Sequence, residues 1–138
     1  MKVISRIVLA AFFFVVGATA ASAQPFPNPI VRYLNQQPSL GGIQVNLTVV
    51  NSNAYAPVFF TPQPPPCGLN PLPSRTWVEI HNFQGGATLN TFCAFNSPSD
   101  LQKISFFTLP ANKPKAVYVV LWDRRANKKV KSNIVKIP

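Results

Sequence analysis

The chain has 138 residues, with 13 Lys and Arg against three Asp and Glu, one His, two Cys and 15 Pro. One histidine and three carboxylates leave little for acid–base or metal chemistry, and the formal charge of +10 gives a positive field over much of the surface. A basic balance of this kind points to anionic partners.

Residues 1–23 read as a targeting leader. Lys2 and Arg6 form a positive start, Ile7 to Val16 is an unbroken apolar run, and Ala21-Ser22-Ala23 has the small-x-small form of a cleavage site. The apolar run falls short of the roughly 20 residues that a bilayer span needs. Cleavage before Gln24 leaves one domain, 24–138, secreted or periplasmic and not transmembrane. Its net charge is +8, eleven Lys and Arg against Glu79, Asp100 and Asp123. An anionic envelope polymer or an acidic protein is the expected partner. Export argues against nucleic acid, which such a surface would bind only through phosphates.

Alternating prolines hold Gln24 to Pro29 extended, either as a loose terminus or as an edge strand running on through Ile30 and Val31. Leu40-Gly41-Gly42 marks a turn. Ile43, Val45, Leu47 and Val49 then alternate with polar residues, the pattern of a half-buried strand. Between 57 and 73 lie seven prolines, a stiff connection that either is simply pinned or presents Phe59, Phe60 and Leu69 for recognition. Cys67 in this loop and Cys93 beyond it suit a single disulfide in an oxidising compartment. Two free thiols are the alternative, with no basic neighbour to activate either one. On the chain-entropy model an unstrained bridge would contribute about 3 kcal/mol.

Arg75 to Phe83 predicts a strand ended by Gln84-Gly85-Gly86, and Leu89 to Phe95 a strand closed by Asn96 to Asp100. Leu101 to Leu109 predicts another, and Pro110 to Pro114 turns the chain again. Ala116 to Trp122 is apolar on both faces and dense in β-branched and aromatic residues, so it belongs in mid-sheet. It predicts a hairpin with Val130 to Ile137. No sustained helical periodicity appears outside the leader. The reading is all-β, with six or seven short strands in a sandwich or barrel.

From Arg75 onward the chain resembles the second half of an immunoglobulin-like or fibronectin type III-like β-sandwich. The resemblance rests on Arg75-Thr76-Trp77-Val78-Glu79-Ile80, Leu101 to Phe106, Pro110 and Tyr118-Val119-Val120-Leu121. It implies a sandwich of about seven strands, and a Tyr118 that hydrogen-bonds back across the preceding corner. The cysteines depart from the pattern, since Cys67 and Cys93 do not fall on the strands that usually carry the inter-sheet pair.

Three arrangements could carry function. His81 shares a strand face with Glu79, but neither a nucleophile nor a second carboxylate accompanies them, so no catalytic residue, metal site or cofactor is expected. If Val78 and Ile80 face the core, Trp77, His81 and Phe83 face outward, joined by Tyr118 and Trp122 if Val117, Val119 and Leu121 are core. Rimmed by Lys131 and Arg75, that aromatic platform would suit a sugar ring, a peptide or a subunit. The alternatives are the opposite phase, which would place Trp77 in the core, or a platform covered by the Pro-rich loop or the N-terminal segment. Finally, Arg124, Arg125, Lys128, Lys129 and Lys131 cluster at one hairpin tip, either as an anion-binding surface or as charges that keep the edge unpaired. These features favour a non-catalytic binding or interaction module over an inhibitor acting through its Pro-rich loop.

Overall fold

A computed structural model describes residues 26–56, 76–93, 97–124 and 126–138. Among the described residues eight strands form two antiparallel sheets: β1 (Val31–Ser39), β2 (Gly42–Val49), β3 (Thr76–Asn82), β4 (Thr88–Cys93), β5 (Ile104–Thr108), β6 (Ala116–Asp123), β7 (Lys128–Lys131) and β8 (Val135–Lys136). One sheet has the order β1-β2-β5, and the other runs β4-β3-β6-β7 with β8 also on β6. The all-β expectation holds. The leader, the Pro-rich stretch 57–73 with Cys67, and Arg75 and Arg125 lie outside the described residues. Cys93 is placed by its backbone in β4, and a Cys67–Cys93 bridge lies outside the described residues.

One core lies between the sheets. Val45, Leu47, Val49 and Phe106 come from the first sheet, Val78, Ile80, Val117, Val119 and Leu121 from the second, all essentially inaccessible to water. Period-two alternation puts them there, and burial of each such side chain contributes about 1.5–3 kcal/mol against leaving it exposed. The sequence pattern therefore has the right phase in β2, β3 and β6. As expected, β6 is central, pairing with β3 on one side and with β7 and β8 on the other.

The β1–β2 hairpin closes through Leu40 and Gly41, both with positive φ (46° and 79°), between the paired Ser39 and Gly42. Two left-handed residues give the turn whose twist matches the strands it joins. β1 runs much further than its sequence suggests. A bulge between Tyr33 and Asn35 leaves Leu34 over and sets Asn35 opposite Asn46. Asn46 is buried although it faces away from the core. Its amide donates to Asn35 Oδ1 at 2.7 Å and accepts from Gln44 Nε2 at 3.1 Å, so its polar atoms have partners.

The strand returning beside β6 is not the continuous one expected over Val130 to Ile137. It breaks at Ser132–Ile134 because side chains there take over backbone pairing. Buried Ser132 accepts the Val119 N–H through its hydroxyl at 2.8 Å, while its own N–H donates to Val119 O. Asn133 turns the other way. Its Oδ1 accepts the Val31 N–H at 2.8 Å and its Nδ2 donates to Val31 O at 3.0 Å, as a neighbouring strand would. One asparagine thus ties the edge of the first sheet to the second. Ahead of β1, Asn51 holds Ile30 N and Asn28 O, and buried Tyr55 donates to Pro27 O at 2.6 Å.

Two measurements check these ties. Asn133→Ala leaves the buried Val31 N–H without its acceptor and should cost about 1–3 kcal/mol, read as a lower denaturant midpoint at unchanged slope. Burial pushes the Tyr55 hydroxyl up to about 12 from 10.0, against a smaller lowering by Asn51. The folded state therefore holds this proton more tightly than the unfolded chain. The stability it contributes is complete below about pH 10 and is lost as pH rises through about 12. Tyr55→Phe should remove the tyrosine absorbance step near pH 12 and flatten the fall in Tm over that window.

Candidate functional site: a cation–aromatic face

The outer face of the second sheet is laid out by its register. Trp77 pairs with Trp122, and Trp122 with Lys129; Glu79 pairs with Val120, and Val120 with Lys131; His81 pairs with Tyr118. Directly paired residues share a face, so three cross-strand rows run side by side on the surface away from the core. The expected outward phase of Trp77, His81, Tyr118 and Trp122 is therefore present, and the alternative with Trp77 in the core is not.

Within these rows the rings contact each other. Trp77 and Trp122 meet edge to face, centroids 5.6 Å apart at 81°, an arrangement worth about 0.5–1.5 kcal/mol beyond area burial. His81 stacks on Tyr118 at 5.1 Å, nearly parallel. Tyr118 is thus a face residue and not the corner tyrosine that the resemblance implies. Phe83 lies just past the end of β3, 52% exposed, and makes no ring contact among the described residues. Its place on the platform is nominal.

The platform is not open, as the sequence suggested, because the chain's own cations occupy it. The Arg124 guanidinium lies 4.5 Å from the centroid of Trp77 and 5.9 Å from that of Trp122. Lys129 Nζ sits 4.6 Å over Trp122, and Lys131 Nζ 4.1 Å over Tyr118. Apolar stems of Lys and Arg cover ring surface while their charged ends stay wet. Each contact is worth roughly 0.5–1 kcal/mol at such sites. That offsets a good part of the 1.5–2 kcal/mol or so that fixing a long side chain costs. Platform and basic cluster, two separate features in the sequence, are one structure. Lys128 is exposed at the same hairpin, opposite Asp123.

Local geometry holds the array. Asn127, in the left-handed region at φ 51°, accepts the Trp122 indole N–H at 3.2 Å and so docks the β6–β7 turn against the ring. Asparagine tolerates that backbone better than most residues. At the other end, Gly85 and Gly86 (φ 83° and 74°) turn β3 into β4, bringing Gly86 O to 3.0 Å from His81 Nδ1. This contact assigns the Nδ1 proton to the carbonyl and leaves Nε2 facing Glu79 Oε1 at 3.5 Å. Nε2 is buried without a hydrogen-bond partner, and Glu79 Oε1 also lies 3.9 Å from Lys129 Nζ.

Each carboxylate has a local partner. Glu79 lies between His81 and Lys129. Asp100 closes a capping box with Ser97 at the 3-10 turn Pro98–Gln102. Asp123 is buried at the end of β6 and accepts the Ala126 N–H at 3.4 Å. Comparison with protein-family models, curated proteins and solved structures finds no match for this chain, so what the face does has to be read from its own geometry.

Proposed function

We propose that the chain is an exported, non-catalytic binding module, its two sheets packed as an immunoglobulin-like sandwich. In this reading the outer face of β3, β6 and β7 engages an anionic component of the cell envelope. The observation that carries it is the seating of Arg124, Lys129 and Lys131 on Trp77, Trp122 and Tyr118. Long cationic side chains already positioned on rings lose less freedom when an anion arrives, so more of the attraction appears as affinity. Glu79 stands among them, its Oε1 3.9 Å from Lys129 Nζ.

Further support comes from the groups a catalyst would need. His81 has one ring nitrogen on Gly86 O and one ring face on Tyr118, and the three carboxylates are engaged within the chain. The leader pattern in residues 1–23 supports export, and export supports a Cys67–Cys93 bridge. An anion is favoured over a neutral sugar because cations, not bare rings, form the outermost layer of the face.

The test compares retention on an immobilised anionic polymer for two double variants that remove equal charge. Lys129→Ala/Lys131→Ala should elute at clearly lower salt than wild type. Arg32→Ala/Lys103→Ala, on and beside the first sheet, should elute close to it. Equal losses in the two variants would show only the pull of net charge and would refute a dedicated face.

A further inference from the structure

We propose that the occupant of this face is a linear polyanion laid along β7, and that Glu79 is a built-in counter-charge which the polymer displaces. The inference rests on the anion-binding reading above and names the ligand class and the residue that limits its affinity.

The linear shape follows from the strand. Lys129 and Lys131 are alternate residues of β7, so their side chains leave the same face about 7 Å apart along one line. Arg124 continues the basic surface over Trp77 where β6 turns toward β7. Among the described residues β7 is the last strand of its sheet, so a chain laid along it meets both lysines in turn. A compact ion would meet these charges singly, whereas a polymer with recurring anionic groups meets several at once. A bilayer fits less well, because insertion needs bare apolar side chains and the rings here lie beneath cations.

The role of Glu79 follows from its distances. Its Oε1 lies 3.9 Å from Lys129 Nζ and 3.5 Å from His81 Nε2, both beyond a good hydrogen bond. The carboxylate attracts Lys129 without locking it. Lys129 remains 54% exposed while Glu79 is mostly covered, so a polymer can reach the lysine and compete with the internal acid. Glu79 therefore lowers affinity and keeps the face from holding every anion.

The experiment titrates the mature protein with inorganic polyphosphate chains, with inorganic phosphate, and with phosphatidylglycerol vesicles, at several salt concentrations. Polyphosphate should bind with an affinity per phosphate that rises with chain length, and more tightly than either of the other probes. Lys129→Ala and Lys131→Ala should each reduce the salt slope by about one. Glu79→Gln, similar in shape, should bind roughly two- to fivefold tighter, the range set by a partly exposed ion pair. An unchanged Tm would show that this gain is not a change in folding. Equal or weaker binding by Glu79→Gln overturns the counter-charge. Equal affinity per phosphate for chain and free ion, or preference for vesicles, overturns the linear ligand. No binding to any of the three probes overturns the anion-binding reading itself.

Discussion

Alternation along β6 is the constraint from which the rest follows. Eight residues place Val117, Val119, Leu121 and Asp123 inward and Ala116, Tyr118, Val120 and Trp122 outward. The inward set meets Val78 and Ile80 of β3 and the residues of the opposite sheet, and fixes the register by burial. A slip of one residue would exchange the whole apolar set for two rings and a half-covered valine. Because the inner face is fixed, the outer face is fixed too, and Trp122 stands opposite Trp77 and Tyr118 opposite His81. The array at the surface is thus a consequence of the packing beneath it.

Stability and the proposed binding draw on different parts of this arrangement. The core and the Asn133 clasp hold the sheets whatever the outer face carries. On that face, each cation resting on a ring is worth about a kilocalorie or less, too little to matter greatly for folding. It is enough to bias the conformers of a lysine or arginine. A surface of ordered charges differs from a surface of equal but wandering charges chiefly in the entropy that binding must still remove. This distinguishes the face from the diffuse positive field of the whole chain.

Much of this was legible in the sequence. Alternation in Ile43 to Val49, in Thr76 to Ile80 and in Ala116 to Trp122 gave both the strands and the faces, because burial on one side imposes a period of two. Leu40-Gly41 and Gly85-Gly86 announced turns. The extent of β1 did not show, since its stretch from Arg32 to Ser39 is a mostly exposed edge whose face changes at the Leu34 bulge. Nor did the break at Ser132–Ile134, where a hydroxyl and an amide replace peptide groups in a way that composition does not signal. The seating of the cations was hidden for a related reason. Spacing puts Lys129 and Lys131 on one side of a strand, but only the neighbouring strand's rings decide where their ends rest. For the same reason Tyr118 could be assigned a corner role by resemblance, while its partner across the sheet, His81, makes it a stacked face residue.

An ordered basic face requires that the cations rest on the rings before any ligand arrives. The direct measurement is the chemical shift of the Lys129 and Lys131 side-chain methylene protons in the free protein, because a position over an aromatic face shields them. Clear upfield shifts for both lysines, lost for Lys129 in Trp122→Leu and for Lys131 in Tyr118→Leu, are the predicted result. Shifts equal to those of an unstructured lysine would show mobile charges over an open platform and would contradict the ordered basic face.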